Sequence, residues 1–290
     1  MPLVVVPTPV GNLEDMTQRG LRELREADVI ACEDTRRTIK LLNHYGIKKP
    51  LLSYHRHNER TRTEDLIARI ETGERVALVS DAGTPGISDP GCVLIDEVIA
   101  RGLPVDVLPG ANALLPALLL SGLSTRRFAF AGFLDGERKE RETKIQELAK
   151  LDATLLFYVA PHDLGKDLAF LEGALGDRDA AIVREISKVH QETIRGKLGE
   201  LRDISNAREI KGEIVLVTAG APHASGAAIP GTAWMAEAGQ MKNEGIFDKD
   251  IAKALFESYG IPRNRVKTFL LGLDKMSERH QGNPGGSEDD

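Results

Sequence analysis

Five short apolar runs constrain the first 122 residues more than any other feature. "LVVV" (3–6), "VIAC" (29–32), "LLSY" (51–54), "RVALVS" (75–80) and "PVDVLPG" (104–110) show almost no apolar–polar alternation. A strand with one wet face alternates, so continuous runs belong to strands buried on both faces. Segments with helical spacing lie between them. "TQRGLRELREAD" puts Leu21 and Leu24 on one face, with Thr17 or Asp15 as N-cap. "RRTIKLLNHYG", "EDLIARIETG", "CVLIDEVIARG" and "ANALLPALLLSG" follow in turn. This alternation predicts an α/β fold whose mostly parallel sheet is covered by helices on both sides.

A second series begins after Ser124: "FAFAGF", a charged helix from Glu137 to Lys150, "TLLFYV", a helix around Leu164 to Leu175, then "AAIVREI", "HQETIRG" and "GEIVLVTAG". The last two lie close together and are expected to form an antiparallel pair, so this half is expected to be mixed. Residues 220–232 are rich in Gly, Ala and Pro and read as a linker. Beyond them, "KDIAKALFESYGIPRNRVKTFLLG" has the outline of a helix-turn-helix, a shape that offers a further RNA contact. The expected organisation is an N-terminal α/β domain (1–122), a second α/β domain (123–222), a linker (223–232), a small helical module (233–278) and a structureless tail (279–290).

Composition narrows the class. Of the 290 residues, 41% are hydrophobic and 28% charged, as in an ordinary water-soluble protein. The longest apolar stretch, "ALLPALLLSGL", falls well short of the roughly 20 residues that span a bilayer. The opening "MPLVVVPTPVGN" lacks a basic region and is broken by prolines, so it reads as a buried strand rather than a signal peptide. Cys32 and Cys92 make neither a disulfide framework nor a zinc site, and the 7 histidines show no metal-ligand spacing. A cytoplasmic, metal-free protein with no membrane association is expected. The net charge of −6 argues against a generic nucleic-acid binder. Locally, though, residues 36–63 hold eight Lys or Arg against one acid, Glu59. That excess suits either an anion-attracting face or a solvated helix and loop.

In open parallel sheets, ligands bind outside the carboxyl ends of the strands. Four loops at such ends are unusually rich in Gly, Pro and Asp: "TPVGNLED", "EDTRRT", "SDAGTPGISDPG" and "LPGANA". Glycines let a ligand approach the backbone and prolines fix its course. The plainer reading, tight strand-to-helix turns, suits any one of these loops but less easily all four. Neither a G-x-G-x-x-G after the first strand nor a P-loop occurs, which counts against a nicotinamide-linked enzyme and a nucleotide triphosphatase.

Taken together, "TPVGNLEDMT", "EDTRRT", "SDAGTPGISDPG", "PGANA", "SGL" with "FAFAGFL", and "KGEIVLV" resemble the tetrapyrrole-methylase superfamily. Within it they are similar to the branch that methylates a cytidine ribose 2′-oxygen in 16S ribosomal RNA. The resemblance implies two α/β domains with S-adenosylmethionine in the cleft between them, in a homodimer acting on 16S rRNA or the small ribosomal subunit. Carried over by position, it implies cofactor contacts from Val10, Gly11, Asp81, Gly83, Thr84, Ile87, Asn112, Ala113, Phe157 and Tyr158. Asn112 stands where the family has a serine; Val159 and Asp163 stand where it has a glutamate and an arginine. Arg184, Glu185 and Lys188 of a later "RELTK" motif are kept.

A ribose hydroxyl is a poor nucleophile, so a nearby base helps its attack. Glu33 and Asp34 are adjacent carboxylates at a predicted strand end, suited either to that role or to capping the helix that starts near Thr35. Arg36, Arg37, Lys40, Arg56, Arg60 and Arg62 are the expected RNA contacts, with Tyr54 and nearby histidines available for stacking. Two other functions fit parts of this pattern: a methylase of a tetrapyrrole, and a non-catalytic RNA-binding homologue.

Overall fold

The computed structural model describes residues 2–221, 233–259 and 261–281. The expected linker (223–232) and residues 282–290 of the expected tail lie outside them. The chain divides after Ala221 into two compact units.

In the first unit, five parallel strands form one sheet: β1 (Leu3–Val5), β2 (Val29–Cys32), β3 (Leu51–Ser53), β4 (Val76–Val79) and β5 (Val105–Val107), ordered β3-β2-β4-β1-β5. Alternate side chains of these apolar runs enter different cores. Val4, Ile30, Ala77 and Val79 pack with Leu21 and Leu24 of α1 (Gln18–Glu26) and Leu42 of α2 (Thr35–His44). Leu3, Val5, Ala31 and Leu78 pack with Leu66 and Ile67 of α3 (Glu59–Glu71) and Leu94 and Val98 of α4 (Cys92–Ala100). Over β1, β2 and β4 both faces are dry, which is why those runs lack polar alternation. Of the two N-caps considered for α1, Thr17 is the one used: its side chain accepts from the Gly20 N–H at 2.9 Å.

The second sheet holds β6 (Phe128–Phe133), β7 (Thr154–Val159), β8 (Asp179–Arg184), β9 (Glu192–Lys197) and β10 (Ile214–Thr218), ordered β6-β7-β10-β8-β9. β6 and β7 run parallel and the remaining neighbours antiparallel, so the sheet is mixed as expected. The expected pairing of β9 with β10 is not made. β8 lies between them, and β9 forms its hairpin with β8 over Asp179–Arg184. Closeness in sequence suggested the wrong neighbour because β10 is buried throughout and takes a central place, while β9, with Arg195 and Lys197, takes the edge.

Helices α6 (Arg138–Leu148), α7 (Leu164–Leu175) and α8 (Leu198–Ala207) cover one face of this sheet through Ile145, Leu168, Leu171 and Leu201. The other face receives α5 (Leu114–Ser121). Although α5 follows β5 of the first sheet, its Ala117 and Leu118 pack against Leu156, Val183, Val215 and Val217 of the second. This helix binds the two sheets into one unit.

Among its described residues the second unit has three helices: α9 (Ala233–Asn243), α10 (Asp248–Tyr259) and α11 (Arg263–Gln281). Trp234, Ala238, Ile251, Leu255, Val266 and Leu270 form its core. The expected helix pair corresponds to α10 and α11. α9 gives that core Trp234 and Ala238, with Met235 and Met241 packed against it. α11 runs through Gln281, so residues 279–281 of the expected tail are helical.

Candidate active site

All four loops converge at the carboxyl edge of the first sheet. Thr8 and Gly83 exchange two backbone hydrogen bonds, at 2.9 and 2.8 Å, joining the loops after β1 and β4. The Thr84 hydroxyl donates to the Ala111 carbonyl at 3.2 Å and ties in the loop after β5. Gly83 takes φ +82°, a conformation that L side chains avoid, and this lets the loop turn flat against its neighbour.

The loops wall a cavity of about 760 Å³, within the range of small-molecule sites. Val10, Asp81, Gly83, Thr84, Ile87, Asn112 and Ala113 line it from the first sheet's side. Tyr158, Phe130 and Phe133 line it from the second sheet, with Tyr158 4.9 Å from Phe130 and 5.5 Å from Phe133, centroid to centroid.

Two of the expected cofactor residues sit elsewhere. Phe157 is fully buried among the side chains under α7, because successive residues of β7 point to opposite faces. Its neighbour Tyr158 faces the cavity instead. Gly11 lies outside the lining and does another job. A Cβ there would come within 2.5 Å of the Ile186 carbonyl oxygen, so glycine is what lets the first loop meet the loop after β8. The Ser187 hydroxyl, in a residue at φ +63°, donates to Asp15 across the same junction at 2.5 Å. Lys188 of that loop pairs with Glu185 at 2.8 Å and Glu213 at 3.2 Å.

Four carboxylate residues line this largely apolar cavity: Glu33, Asp81, Asp89 and Glu213, the last paired with Lys188 at 3.2 Å. Burial, followed by the charge of Asp81, pushes the Glu33 carboxyl above the usual carboxylate range. Burial, followed by the charge of Glu33, pushes Asp89 up to about 6. Asp81 accepts the Asp34 backbone N–H at 3.1 Å and lies 3.4 Å from the Arg37 guanidinium. A cation in the cavity would relieve the repulsion among Glu33, Asp81 and Asp89, and aromatic faces favour cations as well. The donor set therefore fits the sulfonium of S-adenosylmethionine, and the exposed backbone of the glycine loops fits its uncharged parts.

Asp34 behaves differently. It is the N-cap of α2, accepting from the Arg36 N–H at 2.8 Å, and its other contact is the Arg36 side chain, also at 2.8 Å. Hydrogen bonding to Arg36 holds its carboxyl down at about 2. So strongly held an anion is a poor proton acceptor.

Of the expected RNA contacts, Arg37 lines the cavity and Lys40 a smaller one beside it. Arg36 is committed to Asp34 and Arg62 to Asp65 at 3.0 Å, while Arg60 is exposed on α3. Arg56 donates to the Ser88 carbonyl at 2.8 Å, bracing the long loop where Ser88 takes φ +63°. Tyr54 is no stacking platform: it is buried, with its hydroxyl 3.0 Å from that of Thr63. Val159 packs in the second sheet's core, and Asp163 begins α7, where a negative charge is favourable.

Sequence reasoning missed Asp89, Phe130 and Phe133. Asp89 stands in the same biased loop as Asp81, and that placement was its one signal. The phenylalanines lie, with Phe128, on a strand at the sheet edge that bends between Phe130 and Phe133; all three line the cavity, and nothing in "FAFAGF" announces the bend.

Residues 2–202 match the family of tetrapyrrole (corrin/porphyrin) methylases. Ribosomal RNA small subunit methyltransferase I of Bacillus subtilis (strain 168) is 45% identical over 218 residues, 75% of each chain. The protein of that name from Synechocystis sp. is 40% identical over 273 residues, covering 94% of this chain and 98% of its own. The Thermotoga maritima protein is 43% identical over 218 residues, 75% of this chain but 98% of its own. Among solved structures, diphthine synthase superposes with a TM-score of 0.61 at 19% identity, over 75% of this chain and 89% of its own. Cobalt precorrin-4 methyltransferase superposes with a TM-score of 0.57 at 18% identity, over 75% of this chain and 94% of its own. These two share the fold. The chain belongs to the tetrapyrrole methylase family, and within it to the ribosomal RNA small subunit methyltransferase I family.

Proposed function

We propose that this protein uses S-adenosylmethionine to methylate a cytidine ribose 2′-oxygen in the 16S rRNA of the small ribosomal subunit. The supporting observation is a loop-walled, aromatic-roofed cavity with four carboxylates, one of them, Glu33, at the end of β2 beside the cationic start of α2. When bound, S-adenosylmethionine supplies an electrophilic methyl group and departs as a neutral thioether. Asp81 and Asp89 counter the positive charge, and Tyr158 with Phe130 closes the cavity to water. Glu33 accepts the proton of the attacking hydroxyl, for which a carboxylate of raised pKa is the better base. Asp34 sets the start of α2 and so aims Arg37 toward the RNA backbone. Holding the hydroxyl in line with the methyl group supplies several kcal/mol of the catalysis. The protein acts in the cytoplasm as a homodimer, which light scattering would report as twice the chain mass.

The family resemblance makes a ribosomal substrate the stronger choice over a tetrapyrrole, and the carboxylate-lined cavity makes an active enzyme the stronger choice over a passive binder. Calorimetric titration with S-adenosylmethionine, with NAD as control and small subunits present if needed, tests this. Selective binding is expected, with Glu33→Gln still binding, though more weakly, while single-turnover methylation at saturating cofactor falls by about 10²-fold or more. Failure to bind under both conditions, or a near-normal rate in Glu33→Gln, would remove the cofactor or the base role respectively.

A further inference from the structure

Next to the main cavity lies a second, of about 190 Å³, lined by Thr8, Pro9, Leu13, Arg37, Thr38, Lys40, Leu41, Ser80 and Asp81. We infer that it seats one nucleotide of the acceptor RNA, a neighbour of the one methylated. This rests on the function proposed above and deepens it.

Position is the first argument. Arg37 and Asp81, 3.4 Å apart, line both cavities, so their ion pair forms the partition between them. A chain whose reacting ribose lies by Glu33 has its adjoining residue within reach of the partition's far side.

Chemistry is the second. The polar walls Thr8 and Ser80 are already satisfied: the Thr8 hydroxyl donates to the Ser80 carbonyl at 3.0 Å, and the Ser80 hydroxyl donates to the Gly83 carbonyl at 3.2 Å. What faces an incoming group is an apolar floor of Pro9, Leu13 and Leu41 under a cationic rim of Arg37 and Lys40. Lys40 makes no ion pair among the described residues, and Arg37 is 64% exposed beside Asp81, with donors to spare. An apolar floor with a cationic rim matches the flat face and the phosphate of one nucleotide. The one acid at the site, Asp81, is offset by Arg37 and by the Asp34 N–H.

Size and rigidity agree. The volume equals about six waters, enough for one base with its sugar and phosphate left at the rim, and too little for two. Leu13 sits in a single 3-10 turn (Leu13–Asp15) held at one side by the Asn12 side chain, which accepts the Glu14 N–H at 3.1 Å. At the other side the Tyr45 hydroxyl of the α2 cap donates to the Leu13 carbonyl. The seat is therefore formed before RNA arrives.

The test uses the full chain, with S-adenosylhomocysteine and purified bacterial small ribosomal subunits as probe, and two variants checked for folding and S-adenosylmethionine affinity. Lys40→Ala should weaken subunit binding by about tenfold and flatten the dependence of log K on log salt by about 0.7 to 1. Leu13→Trp, which fills the floor from an exposed position, should weaken binding without changing that slope. Both should bind S-adenosylmethionine like the parent. Parental subunit affinity in both variants overturns the seat. An effect of Lys40→Ala alone overturns the nucleotide and leaves a bare phosphate contact. A parent that neither binds S-adenosylmethionine nor methylates fails at the earlier proposal instead.

Discussion

Asp89 shows what burial does to one side chain. Its carboxyl is raised to about 6 in the folded protein, above its ordinary value of 3.8, so the folded state binds the extra proton between those pH values. Stability contributed by this group is thus present at low pH and lost as pH rises through about 6. Asp89→Asn should accordingly raise the thermal midpoint at pH 7.5 and leave it unchanged near pH 3.5, which differential scanning fluorimetry reads directly. The same charge is useful once a cation arrives. S-adenosylmethionine should bind more tightly to the parent as pH rises from 5 to 7, and Asp89→Asn should flatten that trend. S-adenosylhomocysteine, which carries no sulfonium, should show neither effect in calorimetry. Equal losses for both ligands in Asp89→Asn would mean that shape rather than charge accounts for the residue.

At the scale of elements, the junction between the first loop and the loop after β8 decides whether the cavity keeps its form. Gly11→Val would drive a Cβ into the Ile186 carbonyl, an overpacking cost of about 1–3 kcal/mol. Lower thermal stability together with weaker S-adenosylmethionine binding is expected, although residue 11 does not line the cavity; unchanged binding would separate the junction from the site. Elements of this kind were unevenly legible in the sequence. Dry strands such as "VIAC" and "RVALV" declared themselves because a strand buried on both sides needs no polar residues. The loops declared themselves by glycine, proline and aspartate at strand ends. Roles within them did not: Gly11 and Val10 look alike as cofactor neighbours until the Ile186 carbonyl is seen against one of them. Phe157 and Tyr158 differ only in strand parity, which sequence fixes relative to each other but not relative to a cavity. The edge position of β9 needed the whole sheet.

For the molecule as a whole, the division after Ala221 has a consequence for function. Every residue lining the two cavities lies in the first unit. The Thermotoga maritima relative is matched over nearly its full length while leaving a quarter of this chain without a counterpart. A fragment comprising residues 1–221 should therefore fold and bind S-adenosylmethionine with the affinity of the full chain, as calorimetry would check; a fragment that folds without binding would assign the helical unit a part in the site.

Which atom receives the methyl group is reported by the RNA's own chemistry. Small subunits methylated with radiolabelled S-adenosylmethionine would be stripped of protein and their RNA digested with alkali, which cleaves only next to a free 2′-hydroxyl. Transfer to a ribose 2′-oxygen predicts label in alkali-resistant dinucleotides that begin with cytidine. Label released in mononucleotides would place the methyl on a base and rule out transfer to the ribose.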